Sequence, residues 1–459
     1  MNFLFAKLTN ILLFTLVIIV WAVKPEMSAS LNIEYIKFLC IVTFISLIFH
    51  FVSNFERNYF RIDVIFIIGF MIVHFQWAIM LSFSSITPLY LTFNIVDHNV
   101  INFGVWLSSL GLISWLFGYN ITNPKTAEFT ISTIKFPTRV IYFGWLFFLL
   151  FLVASGQHFL SGALYKGGGE VTGIANYLRI ISNALAMLII IYSFLDRENL
   201  NKSNRFFGIG YHQFIFVTCF VFIFLYAGDR GAAIRAACLF LFVYGTWVRP
   251  ITLKWLVFLI ITGAIILTIV GINRSGEDGI SDFFDTLAVS NLYQITQELS
   301  NSARVLYIAI EDINNGSDYH YGGLWVSKIL SLFPFAQSVY LEFVEHRDHA
   351  FGTGQYITYL RYGPFSTSGE GSTLITDIFL NFGYVGVVIF MGLFGGVIKS
   401  VYSVMKQKGN LSIIIVACIF ASYALYQGRA GLFDTLRDVV WTLFISWALI
   451  QHKFIFNKR

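Results

Sequence analysis

Nine arginines of the chain stand apart from its lysine-rich loops: Arg179, Arg230, Arg235, Arg274, Arg304, Arg347, Arg361, Arg429 and Arg437. Only Lys24, Lys37, Lys166 and Lys328 accompany them, whereas the alternate loops hold ten Lys and seven Arg. A lysine is enough to orient a membrane protein. A guanidinium is a planar fork that grips phosphate or carboxylate with two bonds at once. Arg179, Arg230, Arg235, Arg429 and Arg437 lie near the ends of apolar runs. Ionisable groups in such places are costly and mark a pathway or a site. As a set they suit an anion held just outside a bilayer, and a pyrophosphate is the natural ligand. The competing use is local pairing. Asp229 adjoins Arg230, and Asp434, Arg437 and Asp438 fall on one helical face.

Other chemistry is poorly supplied. His346 and His349, with Glu345 and Asp348 beside them, have a spacing that brings two imidazoles to one side of a helix. No second His or Cys pair accompanies them, so no metal site is expected. Cys40, Cys219, Cys238 and Cys418 each lie in an apolar run without CxxC spacing and read as packing residues. Gly167-Gly168-Gly169 lacks the Lys-Ser/Thr and the preceding strand of a phosphate-binding loop, which argues against a nucleotide.

The elements that must position these residues are membrane helices. Of 459 residues, 57% are hydrophobic and 12% charged, against about a quarter charged in soluble domains. That composition excludes a water-soluble fold, a disordered chain and a disulfide scaffold, and it predicts an all-α polytopic membrane protein. Twelve apolar segments are candidate spans: 8–23, 36–53, 62–83, 99–119, 138–154, 174–195, 212–227, 231–247, 253–271, 373–399, 411–427 and 432–451. The first reads as an uncleaved helix, not a signal peptide. Alternate loops carry the Lys-rich charge expected of a cytoplasmic face, which places both termini inside. The net charge of +5 follows from those loops and does not imply nucleic acid. Three regions result: helices one to nine over 1–271, a large outer loop over 272–372, and helices ten to twelve over 373–459. Within the loop, Ile280–Leu299 and Trp325–Phe343 are amphipathic and suit helices at a membrane surface. No internal repeat is visible.

Many spans, one large outer loop late in the chain, and the turn Gly228-Asp229-Arg230-Gly231 followed by Arg235 resemble the O-antigen polymerase (Wzy) family. So does Gly369-Glu370-Gly371-Ser372-Thr373 leading into Asn381-Phe382-Gly383-Tyr384-Val385-Gly386. The architecture is similar over most of the chain, and the motifs are sharp at these two places and at Gly428-Arg429-Ala430-Gly431. The resemblance implies a membrane glycosyltransferase of the GT-C type in the bacterial inner membrane, with its active site in the periplasm. Its substrates would be oligosaccharide repeat units on undecaprenyl pyrophosphate, with no metal, nucleotide sugar or other cofactor. The growing glycan would pass from one lipid to the free end of the next unit. A flippase and a chain-length regulator would be its partners, and nucleic acid would not.

Such a transfer needs a proton acceptor, positive charge on the leaving pyrophosphate, and a cavity that aligns two long substrates. Arg230 and Arg235 carry over from the matching turn, and Arg347, Arg361 and Arg429 complete the expected pyrophosphate set. Glu370 is the first candidate base, at the mouth of a helix beside the shared motif, where helix N-terminal charge stabilisation is its other reading. Asp377 and His349 follow, with Glu345 and His320 behind them. The ring-rich loop (Tyr319, His320, Tyr321, Trp325, Tyr356, Tyr359, Tyr362) offers faces for sugars, a use that competes with anchoring at the interface. The arginine-glycine spacing of some family members is not clearly present. The His that O-antigen ligases usually place just before the last helix of the large loop is also missing, which counts against the O-antigen ligase, the first alternative reading. A lipid-linked oligosaccharide transporter is the non-enzymatic alternative.

Overall fold

A computed structural model describes residues 3–84, 96–124, 136–160, 173–196, 205–275, 296–344, 351–364, 366, 369–406 and 410–450. It is an all-α membrane protein. The helices are α1 (Phe3–Ala22), α2 (Ile33–Ser53), α3 (Ile62–Phe83), α4 (Ile101–Ile121), α5 (Thr138–Leu160) and α6 (Gly173–Leu195). After a two-residue-per-strand antiparallel hairpin come α7 (Tyr211–Tyr226), α8 (Arg230–Trp247) and α9 (Leu253–Ser275). Short helices α10 (Gln297–Ser300), α11 (Ala303–Asn314), α12 (Gly323–Leu330), α13 (Ala336–Glu342) and α14 (Thr353–Tyr362) form a cap over one end. The chain returns through α15 (Leu374–Lys406), α16 (Leu411–Tyr423) and α17 (Asp434–Ile450). Six helices among the described residues are long and apolar enough to cross a membrane: α2, α3, α4, α5, α6 and α15. A helix is the form that satisfies its own backbone in hydrocarbon.

The bundle is organised on α4, which is buried on nearly every side. Its glycines allow this. A Cβ on Gly118 would collide with the Gly392 carbonyl of α15, and one on Gly395 with the Trp115 carbonyl. Close backbone approach through small residues is how membrane helices gain packing energy without a hydrophobic drive.

Three segments depart from simple spanning. The helix α15 breaks at Gly383, whose φ of 65° is left-handed. Ile378 lies 3.7 Å from a Cβ placed on Gly386. In a straight helix eight residues would separate them by about 12 Å. The stretch 374–382 is therefore a re-entrant half-helix: Ile375 meets Gly111 at the middle of α4, and Phe379 meets Phe103 near its start. Second, α16 ends after 13 residues, about 20 Å of rise, and a 3-10 turn (Gln427–Arg429) follows. A Cβ on Gly69, about a third of the way along α3, would collide with the Leu425 carbonyl, which puts this break deep in the bundle. Third, Thr296 at the start of the cap donates to Gln76 of α3 at 2.7 Å. The runs expected as spans over 373–399 and 411–427 thus fold differently from plain crossings, because Gly383 and the stretch 424–433 interrupt them.

At the opposite end, Arg61 holds Asp63 with Nε at 3.0 Å and Nη2 at 2.7 Å. Asn120 Nδ2 donates to His50 Nδ1 at 2.9 Å, which leaves His50 Nε2 to donate to Asp63 at 3.2 Å. Lys399 donates to Asn54 at 3.0 Å, and Asn54 to Asn120 at 2.7 Å. This buried chain ties α2, α3, α4 and α15 together. A buried charge pair must be saturated in this way to be tolerated.

Candidate functional site

Under the cap, the re-entrant half-helix and the break after α16 meet at Asp377. Asp377 is 4% exposed. Trp325 Nε1 of α12 donates to Oδ2 at 3.0 Å, and the Leu432 amide donates to the same oxygen at 2.9 Å. The Thr353 hydroxyl at the start of α14 donates to Oδ1. All three donors are neutral. One carboxylate thus joins two cap helices, the half-helix and the break.

Asp434 converges on the same place. A Cβ on Gly431 would lie 3.2 Å from Asp377 Oδ2 and 3.3 Å from Asp434 Oδ2. Asp434 accepts from the Gly431 amide at 2.8 Å and pairs with Lys328 of α12 at 2.8 Å. Gln427, 1% exposed, accepts from the Thr435 hydroxyl at 2.6 Å and stiffens the turn.

Beside this centre, Glu370 is 5% exposed. It pairs with Arg304 Nε at 2.6 Å and accepts from the Tyr362 hydroxyl at 2.7 Å. Its amide donates to Thr358 at 3.1 Å. The N-terminal cap of the half-helix belongs to Thr373, whose hydroxyl receives the Thr376 amide at 3.2 Å, so Glu370 does not serve as that cap. The hydrogen bond to Glu370 is the first cause that holds the Tyr362 phenol above the ordinary tyrosine range, with burial second. Tyr356 is pushed up by burial and then by its bond to Asp312.

A third group lies where α8, α16 and α17 meet. Arg235 pairs with Asp438 at 3.2 Å, donates to the Tyr423 hydroxyl, and holds its guanidinium 4.8 Å from the Tyr423 ring centre. Tyr423 in turn donates to Asp438 at 2.6 Å. Arg235 Nε is buried and meets no acceptor among the described residues.

Of the expected arginines, Arg235 is therefore built into a polar cluster. Arg361 is exposed in the last turn of α14, on the helix that also carries Tyr362. Arg230 begins α8 after its Asp229 cap, and Arg429 ends the 3-10 turn; both are half-buried. Arg347, His349, His346 and Glu345 lie outside the described residues. His320 packs edge-on to Tyr356 at 4.5 Å. Among the described residues, no group of three or more His, Cys, Asp and Glu side chains is placed to hold a metal.

Sequence reasoning did not single out Trp325, Thr353, Lys328 or Tyr423 as partners of the charged residues. Trp325 and Asp377 are 52 positions apart, and no spacing rule links them. Compared with family models, curated proteins and solved structures, the chain matches none.

Proposed function

We propose that this protein is a surface-polysaccharide polymerase of the O-antigen type. It crosses the bacterial inner membrane twelve times, with both termini cytoplasmic and the cap in the periplasm. It transfers a growing glycan from undecaprenyl pyrophosphate to the non-reducing end of an incoming lipid-linked repeat unit. The observation that carries this reading is the pair of helix interruptions, 374–383 and 424–433, with Arg235, Lys328, Arg304 and two converging carboxylates at the same capped end. Irregular backbone at membrane depth is tolerated where it lines a polar cavity or is buried in protein. Arginine beside it favours a diphosphate.

In the reaction, the acceptor hydroxyl attacks the anomeric carbon of the donor, and the bond from that carbon to the diphosphate oxygen breaks. The electron pair leaves with undecaprenyl pyrophosphate. Arg235 is the leading group for the departing charge, with its Nε–H unspent. The hydroxyl proton goes to a carboxylate. Asp377, held by neutral donors only and flanked by Asp434, suits that role better than Glu370, whose oxygens are committed to Arg304 and Tyr362. Trp325 and Thr353 belong to the cap, so the cap covers Asp377 and sets the access of substrate to it.

Half-helices that end inside a bundle are also a transporter feature, which favours a lipid-linked oligosaccharide transporter as the second reading. Against it stands the saturated Arg61–Asp63–His50 chain sealing the opposite end. Deleting the gene and separating the cell's lipopolysaccharide on a gel decides between them. Loss of a polymerase leaves core carrying a single repeat unit, since flipping and ligation continue. Core with no repeat would overturn the polymerase reading.

A further inference from the structure

The break at Gly383 has a second consequence, in the turn of the cap that meets it. The half-helix 374–382 ends there, and its last carbonyls lose their helical partners. The turn that follows α11 supplies them. His320 N–H donates to the Leu380 carbonyl and Tyr321 N–H to the Asn381 carbonyl, both at 2.9 Å. The Tyr319 ring closes over the break, with its Cζ 3.2 Å from a Cβ placed on Gly383. Aiming two successive amides this way forces left-handed backbone, φ 46° at Tyr321 and 90° at Gly322.

Glycine or asparagine is the ordinary choice at such a position. Tyr321 is neither, and its side chain is not repaid by packing, being 76% exposed. Phe333, Phe335 and Phe343 of the cap are exposed as well, but three of its polar rings are engaged. Trp325 is 6% exposed among Phe382, Phe390 and Phe433, Tyr356 is 8% exposed on Asp312, and the Tyr362 hydroxyl is held by Glu370. Tyr384 follows Gly383, over which the Tyr319 ring closes. Lys24 stands 4.0 Å over the Tyr384 ring. The same turn exposes Asn314, Asn315 and Asp318 to water.

We propose that the turn 314–321 is a saccharide-binding subsite. The Tyr321 ring is its stacking face, and Asn314, Asn315 and Asp318 are its hydrogen-bonding rim. A pyranose has a C–H face that stacks on an aromatic ring and hydroxyls that pair with amides and carboxylates. A lipid-facing anchor fits less well, because two amides and a carboxylate on the same turn would have to enter the interface with it. The Tyr321 amide is bonded to Asn381, four residues and about 6 Å of helical rise beyond Asp377 along the half-helix. The occupant is therefore a sugar of the glycan next to the reacting one. This assignment rests on the polymerase reading for its place in the reaction, but glycan binding tests it separately.

The probe is the glycan released from the lipopolysaccharide of wild-type cells and freed of lipid, titrated onto the purified full-length protein. Tyr321→Gly relaxes the backbone, so a folding failure is not the expected confounder. Binding is expected to weaken about tenfold in Tyr321→Gly and to survive in Tyr321→Trp. In cells the glycan ladder should shift to shorter lengths in Tyr321→Gly while polymer persists. Equal binding by Tyr321→Gly and wild type, or no binding by wild type, overturns the subsite. So does a Tyr321→Gly protein that loses membrane yield but keeps its glycan affinity, since that marks an interface anchor. Should the gene deletion leave the ladder intact, the polymerase reading fails, whatever the titration shows.

Discussion

Arg304 and Glu370 define what is at stake at single residues. Glu370 is nearly sealed from water, while Arg304 remains 28% exposed. Removing the arginine leaves a buried carboxylate with only the Tyr362 hydroxyl and costs about 1–3 kcal/mol. Arg304→Ala is thus expected to lower the melting temperature in detergent, and Arg304→Lys to restore part of it; equal stability of Arg304→Ala and wild type would contradict the pair. The two raised tyrosines add a pH dependence. Their folded phenols hold the proton beyond the ordinary value of about 10, so their contribution is fully present below that pH and is lost as pH rises through the raised values. Stability of the wild type should fall on the alkaline side, and Tyr356→Phe with Tyr362→Phe should flatten that fall. The sequence set nine arginines apart from the lysine-rich loops and marked Glu370 and Asp377 as acids of interest. It could not show their partners. Trp325 reaches Asp377 only because the cap folds back over the half-helix, and Arg304 was one unranked arginine among nine.

At the scale of elements, hydropathy located the apolar runs well and their course less well. A window over 373–399 sees continuous apolar sequence and cannot distinguish a crossing from a half-helix that turns back. The motif Asn381-Phe382-Gly383 carried the information as a family likeness, but its physical meaning is the left-handed break itself. That meaning is testable. Gly383→Ala forces a side chain into positive φ against the Tyr319 ring and should cost about 1–2 kcal/mol, a loss of a few degrees in melting temperature. Gly118→Val should be worse, because its Cβ meets the Gly392 backbone and neither helix has a flexible atom to yield. A Gly118→Val protein with wild-type melting would contradict the close approach of α4 and α15.

Across the whole molecule, the two ends differ in kind. One end is closed by a saturated, buried chain of charges and amides, and the other carries the cap and both interrupted helices. The proposed orientation puts the cap in the periplasm. A cysteine at Ser317 should then react with a membrane-impermeant thiol reagent in intact cells whose outer membrane has been permeabilised, and one at Ser412 should not; the reverse pattern would invert the topology. The central claim is tested most directly with purified protein in liposomes supplied with one substrate, the repeat unit linked to undecaprenyl pyrophosphate. The account predicts release of undecaprenyl pyrophosphate together with lipid-linked products that grow by whole repeat units, and loss of both in Asp377→Asn and Arg235→Ala. Movement of the intact lipid-linked unit across the bilayer, with no change in its length, would contradict it.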